Sequence, residues 1–285
     1  MGSVHITVGA KSSSKAIITI GRICSYIFLI LIALISLCPL ILLIISATRS
    51  DVGFSLIPSG EFGNNFSAAF TEDFLLSFLN SFLVAAASGV LSSYFSALTA
   101  YGIHVYNFRF KKLTYGFILL MMLFPPQIYA AGFVNWAFKL GLDNTFWPLI
   151  IPSIAAPVVF FYMKRHMDTS LPIEVIEAAR IDGAGEFRIF NTIALPAIRP
   201  AIAVQMLLSF IVSWNSYFIP SLILSDKNAR TLPVWLAMLR DSVVEEQAWG
   251  RLYMTILLAI APIILIYIFA SKHIIRGISA GEGKE

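Results

Sequence analysis

Charged residues are scarce in this chain of 285 residues: Asp, Glu, Lys and Arg make up 13%, whereas hydrophobic residues make up 58%. Roughly a quarter of the residues of a soluble globular domain are charged, so the composition excludes that class. Cysteine is also rare. Cys24 and Cys38 are the two cysteines, and both lie in one long apolar run. Positions so far apart along one helix cannot form a disulfide with each other.

The motifs of nucleotide-binding and catalytic proteins are missing from the sequence. The Gly283-Lys284 pair has Ile278 and Glu285 where a Walker A motif needs Gly and Ser or Thr. There is no Gly-x-Gly-x-x-Gly string, no Cys/His cluster with metal-ligand spacing and no hydrolase nucleophile elbow. The sequence therefore argues against an enzyme and predicts that this chain itself binds no cofactor and no metal.

Long apolar runs are what the chain has in abundance. A run of about 17–25 residues is long enough to cross a bilayer as a helix. Six such runs are predicted to span the membrane: 17–47, 75–103, 113–134, 147–163, 201–224 and 252–271. The predicted fold class is therefore all-α, a polytopic membrane protein with six transmembrane helices.

The distribution of basic residues predicts the orientation of these spans. With both termini in the cytoplasm, 14 of the 20 Lys and Arg residues lie in cytoplasmic segments and 6 in outer ones, as the positive-inside rule requires. This bias also accounts for the pI of about 9.1, so no nucleic-acid partner is implied. The predicted divisions are a cytoplasmic tail (1–16), the first span (17–47), an outer loop (48–74), a core of five spans (75–271) with a cytoplasmic loop (164–200), and a C-terminal tail (272–285).

One polar, helix-prone island interrupts the apolar sequence within that cytoplasmic loop. It begins after Pro172, which is tolerated in a first helical turn, and contains the string Glu177-Ala178-Ala179-Arg180-Ile181-Asp182-Gly183-Ala184. Gly183 is predicted to end the first helix in the left-handed conformation. Residues 186–194 can then form a second short helix before the Leu195-Pro196 break. A helix–Gly–helix element between spans indicates a docking surface for a cytoplasmic partner.

This island resembles the EAA loop of the membrane-spanning subunits of ABC importers. The positions that carry the resemblance are Glu177, Ala178, Ala179, Asp182, Gly183, Ala184, Phe190, Ile193, Leu195, Pro196 and Pro200. The pattern is most similar to the carbohydrate branch, the maltose-type permeases, which are inner-membrane components of binding-protein-dependent transport. Three further segments, 140–145 (LGLDNT), 214–217 (WNSY) and 231–234 (TLPV), resemble motifs of the same family.

The resemblance implies a fold, a function and a set of partners. The fold would be that of a type I ABC importer permease, in the plasma membrane of a bacterium or archaeon. The chain would be one half of a permease that imports a sugar or oligosaccharide. It would pair with a second, related permease subunit, with a homodimeric or heterodimeric cytoplasmic ATPase that binds ATP and Mg, and with an external solute-binding protein. Coupling to the ATPase would fall to Glu177, Ala178, Ala179, Asp182 and Gly183.

Polar and aromatic residues in the fifth predicted span form a candidate substrate path. Gln205, Ser209, Ser213 and Tyr217 recur every four residues, and Asn215 lies beside them. Aromatic faces stack on sugar rings while hydroxyls and amides pair with sugar hydroxyls, although hydrogen bonding between spans would use the same residues. Gln127 joins this set because Pro125 and Pro126 are predicted to break the third span, either to line a path or as a packing kink.

Two alternative functions use the same spans. A permease of an ABC importer for a non-sugar solute would share the whole pattern. An ion-coupled secondary carrier commonly holds Asp, Glu or His inside the membrane, yet none of the six predicted spans has a carboxylate in its interior. The sequence therefore favours an energy source in another subunit.

Overall fold

The structure, a computed structural model, describes residues 9–50 and 56–282. Every regular element in these ranges is helical. The α-helices are α1 (Gly9–Ala47), α2 (Phe62–Ala69), α3 (Glu72–Val105), α4 (Lys111–Met121), α5 (Pro126–Lys139), α6 (Trp147–Ile150), α7 (Pro157–Ser170), α8 (Ile173–Ile181), α9 (Glu186–Ile189), α10 (Leu195–Ala197), α11 (Arg199–Trp214), α12 (Phe218–Ile223), α13 (Leu232–Glu246) and α14 (Trp249–Glu282). Short 3₁₀ segments cover 151–154 and 227–229, and a π-helical turn covers 190–194.

Helix α3 is the central element of the bundle. Thr71 caps its N-terminus by accepting a hydrogen bond from the Phe74 amide at 3.2 Å, and Glu72 and Asp73 complement the helix dipole in the first turn. Helices α7 and α11 pack along its length. The sequence places small residues at every fourth position of this helix, and all of them are buried: Ser77, Ser81, Ala85, Gly89, Ser93 and Ala97. This spacing is typical of a membrane helix that packs closely against its neighbours.

Helices α3 and α11 approach each other closely at Gly89. A Cβ atom at this position would lie 2.9 Å from the Met206 carbonyl oxygen of α11, a distance that real Cβ atoms essentially never show. The absence of a side chain therefore lets the two backbones meet, which is how small residues promote packing between membrane helices.

Four of the described helices are long and apolar enough to cross a membrane: 21–47, 72–105, 147–170 (α6, the 3₁₀ turn and α7) and 249–268. A fifth arises if 186–197 and 199–214 are counted as one bent span. These segments cover five of the six predicted spans. The remaining one, 113–134, is divided between α4, of 11 residues, and α5, of 14 residues. The predicted break at Pro125 and Pro126 is present, whereas the count of six spans stays a prediction.

Two predicted helix boundaries are wrong. The Leu195-Pro196 pair does not break the helix, because Pro196 lies in the first turn of α10, where a missing amide costs little. The chain instead bends by 84° at Ile198. The helix expected over 201–224 ends at Trp214, and a separate helix, α12, follows after Tyr217.

The predicted tails and outer loop are more helical than expected. Helix α1 already begins at Gly9, α14 continues to Glu282, and α2 lies within the predicted loop 48–74. The remaining parts of these three segments, 1–8, 51–55 and 283–285, lie outside the described residues.

Candidate functional site

Residues 172–198, here called the coupling segment, form the predicted helix–Gly–helix element. Helix α8 follows the extended Pro172 and ends at Ile181. Gly183 has a φ of +80°, and the Ala184 amide donates to the Ala179 carbonyl at 3.0 Å, which is the closing bond of a glycine-terminated helix. The left-handed conformation predicted for Gly183 is confirmed.

The two faces of α8 differ in chemistry. Ile176 and Ala179 face the protein core, with 0% and 8% of their surface exposed. The other four predicted coupling residues are exposed: Glu177, Ala178, Asp182 and Gly183. With Glu174, which is also exposed, the helix and its turn offer three carboxylates, while Ala179 contributes to packing within this chain.

Two apolar side chains of the coupling segment that the sequence did not single out are strongly exposed. Ile181 is 87% exposed and Phe187 is 69% exposed. Both lie in the polar island of the sequence. A large apolar residue in a polar segment is a signal from which an exposed contact could have been predicted. Large exposed apolar residues beside charged ones are typical of interaction sites.

A charged network joins the coupling segment to α3. The Arg180 Nε donates to Glu186 Oε1 at 2.5 Å, and the Tyr101 hydroxyl of α3 donates to Glu186 Oε2 at 3.0 Å. The Arg180 guanidinium also lies 5.5 Å from the ring centroid of Tyr106, a cation–π distance. The hydrogen bond from Arg180 lowers the pKa of Glu186 to about 2, so this carboxylate is ionised at neutral pH.

Phe190 anchors the same junction through packing. It is fully buried at the start of the π-helical turn, and its ring lies between Tyr94 and Tyr101 of α3, with centroid distances of 5.6 Å and 5.4 Å. Ile189 and Ile198 are also fully buried in this cluster. Several positions of the EAA-like pattern therefore fasten the segment to α3, while others face outward.

His104 holds the start of the coupling segment against the C-terminal end of α3. Its Nδ1 lies 2.9 Å from Asp168 Oδ1, and its Nε2 lies 2.9 Å from the Leu171 carbonyl oxygen. Lys164 contacts the same Asp168 carboxylate. The sequence did not predict this cluster, because His104 lies 64 positions before Asp168 and 67 before Leu171.

Helix α11 carries Gln205, Ser209 and Ser213 on one face, four residues apart, but not the other predicted path residues. Gln205 is only 2% exposed, on α11 where that helix packs against α3, and Ser209 and Ser213 are half-buried. Helix α11 ends before Asn215, whose side-chain amide donates to the Ile211 carbonyl at 2.8 Å. Tyr217 lies beyond the helix.

Tyr217 nevertheless lies at a cleft that is open to the surface. It is 48% exposed and lines a cleft of about 440 Å³ between α13 and α14, with Pro233, Leu236, Ala237, Arg240, Leu252 and Ile256. Gln127 is exposed in the first turn of α5. The role of all six residues in substrate transfer stays a prediction.

The motif-like segment 140–145 has a structural explanation. Asn144, at φ +53°, accepts hydrogen bonds through Oδ1 from the Ser225 and Asp226 amides at 2.8 Å and 2.6 Å. Asn80 of α3 donates to the Asn228 and Arg230 carbonyls of the same loop at 2.9 Å and 3.0 Å. Loop 224–231 is thus fixed by two distant parts of the chain, at the end of α3 opposite the coupling segment.

Comparison with known proteins identifies the family. A family model described as "Binding-protein-dependent transport system inner membrane component" matches residues 89–279. The arabinooligosaccharides transport system permease protein AraQ of Halalkalibacterium halodurans is 32% identical over 266 residues, covering 89% of this chain and 93% of that protein. The maltodextrin transport system permease protein MdxG of Bacillus subtilis is 31% identical over 271 residues, covering 93% and 97%. UgpE of Yersinia pestis, a permease protein for sn-glycerol-3-phosphate, is 28% identical over 269 residues, covering 90% and 95%.

Solved structures support the fold. A chain of a bacterial ABC transporter that imports the acidic polysaccharide alginate superposes with a TM-score of 0.76 at 21% identity, covering 94% of this chain and 99% of that one. A chain of the alginate transporter in complex with an alginate pentasaccharide-bound periplasmic protein gives 0.63 at 18% identity, covering 91% and 94%.

The chain belongs to the family of inner-membrane components of binding-protein-dependent transport systems. It is a membrane-bound permease subunit of an ABC importer, with the fold of the type I importers, and is a non-catalytic component.

Proposed function

We propose that this permease subunit moves a sugar or oligosaccharide into the cytoplasm and is driven by a separate ATPase that docks on the coupling segment. The observation that carries the docking proposal is the outward face of α8 and its turn. There Glu177 and Asp182 stand exposed beside Ile181, whose side chain is 87% exposed, around a glycine-terminated helix end.

The substrate class rests on the relatives. AraQ and MdxG are named for arabinooligosaccharides and maltodextrin, and both solved structures are of alginate importers. The UgpE name favours a second candidate, a phosphorylated polyol. Arg240 lines the same cleft as Tyr217 and would suit an anionic solute as well as an uncharged sugar. We propose that Tyr217 and Asn215 border the path, with Gln127, Ser209 and Ser213 as further candidates.

The proposed assembly contains four kinds of component. A second, related permease subunit completes the pathway, and an external solute-binding protein delivers the substrate. Two copies of a cytoplasmic ATPase bind ATP and Mg, so that this chain holds neither. Both termini lie in the cytoplasm of a bacterial or archaeal cell, which places the coupling segment on the side of the ATPase.

The proposed docking predicts that Glu177→Ala weakens ATPase association or coupling roughly 30-fold or more. Truncating one member of a partly desolvated charge pair costs about 2–5 kcal/mol, and about 1.4 kcal/mol corresponds to a factor of ten. Glu174→Ala is the comparison: Glu174 is an exposed carboxylate one turn earlier on the same side of α8, further from the Gly183 turn, and should show a smaller loss. Both variants should insert in the membrane. ATPase co-purification and ATP-driven uptake in proteoliposomes are the measurements.

Gly183 tests the shape of the docking surface by a second route. Gly183→Val forces a β-branched residue into a left-handed conformation, whereas Gly183→Asn introduces a residue that tolerates it. Valine should impair ATPase association more than asparagine. If Glu177→Ala and Gly183→Val both associate and transport like the parent, the docking proposal is wrong.

A further inference from the structure

We infer that Glu186 is a positioning residue that joins the coupling segment to α3, so that a displacement of the docked segment moves α3. This inference rests on the proposed function, since it requires an ATPase that displaces the segment. The observation that carries it is a single carboxylate shared between two elements.

The two oxygens of Glu186 have different partners. Oε1 accepts the hydrogen bond from Arg180 at the end of α8, and Oε2 accepts the one from Tyr101 in α3. Charged hydrogen bonds are among the stronger polar contacts. The docking helix and the central helix are therefore connected through one side chain, which itself lies in α9 beyond the Gly183 turn.

Other contacts make this connection stiff. Arg180 lies over the ring of Tyr106, the residue that follows α3, and the Tyr101 ring packs on the buried Phe190. Fixed on both sides of the Gly183 turn, the segment has few ways to move without α3. The outward carboxylate Glu177 takes no part in this network, so docking and transmission use different residues.

Helix α3 is suited to carry such a displacement. It runs unbroken for 34 residues, which corresponds to about 50 Å. Close to its middle it meets α11 at Gly89, and near its other end Asn80 holds loop 224–231. A rigid helix with fastened contacts at both ends is the kind of element that relays a movement between distant sites.

The test separates transmission from docking by measuring uptake per ATP hydrolysed. In a reconstituted importer, Glu186→Gln should retain ATPase co-purification and ATP hydrolysis, while uptake per ATP falls about threefold or more. Tyr101→Phe, which removes only the hydroxyl contact, should lower the same ratio by a smaller factor. The Glu186→Gln, Tyr101→Phe double variant should be no worse than Glu186→Gln alone, because both changes break the same link.

Thr99→Val is the matched control. Thr99 is exposed on α3 two residues before Tyr101, and its hydroxyl donates to the Phe95 carbonyl of the same helix at 2.8 Å, so its loss should leave uptake per ATP unchanged. Native uptake per ATP in Glu186→Gln would overturn the inference, and so would a loss of ATPase association in that variant. Neither outcome would contradict the proposed docking, which depends on Glu177 and fails only if Glu177→Ala and Gly183→Val behave like the parent.

Discussion

At the scale of single residues, Gly89 is a position with little freedom to change. A Cβ atom there would meet the Met206 carbonyl oxygen at 2.9 Å, and backbone atoms of a packed helix cannot move aside as a flexible side chain can. The contact between α3 and α11 therefore depends on the absence of a Cβ atom at position 89. The sequence pattern of small residues identified the stripe but not that its glycine meets the backbone of α11.

We expect Gly89→Ala to destabilise the protein by about 1–3 kcal/mol, the usual cost of overpacking. Gly102→Ala is the control within the same helix, because a Cβ at Gly102 has nothing within 4 Å. The control should be neutral or slightly stabilising, since alanine favours the helix by about 1 kcal/mol over glycine. Thermal unfolding in detergent compares the two. Equal Tm values would show that α11 can move away from Gly89 at no cost.

Residues whose role follows from local backbone geometry could be predicted from the sequence. Gly183 follows an Ala-containing helical segment and adopts the left-handed conformation typical of a glycine that ends a helix. The Arg180–Glu186–Tyr101 network could not be predicted, because Tyr101 and Glu186 lie 85 positions apart and meet only through the packing of α3. Gln205 illustrates the same limit: the spacing placed it on a polar face, but only the fold shows which helix that face meets.

At the scale of elements, loop 224–231 depends on residues from two other parts of the chain. Asn144 accepts hydrogen bonds from the amides of Ser225 and Asp226, and Asn80 donates to two carbonyls further along. The 3₁₀ segment within this loop is short, so side chains from elsewhere pair much of the loop's backbone. The motif-like character of 140–145 therefore reflects a structural requirement.

Asn144→Ala should release this loop. Each lost hydrogen bond contributes about 0.5–1.5 kcal/mol, so hydrogen exchange at the Ser225 and Asp226 amides should accelerate by about tenfold. Asn144→Asp keeps an acceptor oxygen at the same place and should preserve more of the protection. The amide of Leu232, which donates to the Ser81 hydroxyl at 2.7 Å, provides an internal reference. Unchanged exchange at Ser225 and Asp226 in Asn144→Ala would contradict this role.

The predicted helices were most accurate where a long apolar run forms one straight element. Helix α3 covers its predicted span with a few residues to spare, because hydropathy and small-residue spacing agree there. Errors arose where prolines interrupt the run. Pro196 continues a helix that the sequence suggested it would end, and the bend falls at Ile198, directly before α11 begins with Arg199 and Pro200.

At the scale of the whole molecule, the decisive property is the side of the membrane on which each segment lies. The proposed coupling requires the coupling segment on the cytoplasmic side, together with both termini. The excess of basic residues, 14 against 6, predicts this arrangement. The region 111–139 is critical, because α4 and α5 must cross the bilayer together if six spans are to return the chain to the cytoplasm.

We predict that Gly60→Cys and Lys139→Cys, each in a Cys24→Ser, Cys38→Ser background, react with a membrane-impermeant maleimide added outside intact cells. Glu174→Cys should react only in inverted vesicles. All three positions are exposed, and a Cβ at Gly60 has nothing within 4 Å, so accessibility reports the side of the membrane. Labelling of Gly60→Cys only from the cytoplasm would reverse the orientation and remove the coupling segment from the ATPase. If Lys139→Cys were labelled only from the cytoplasm while Gly60→Cys was labelled outside, α4 and α5 would not cross the bilayer. The number of spans would then be smaller than six, and the side of the docking surface would follow from the Glu174→Cys result alone.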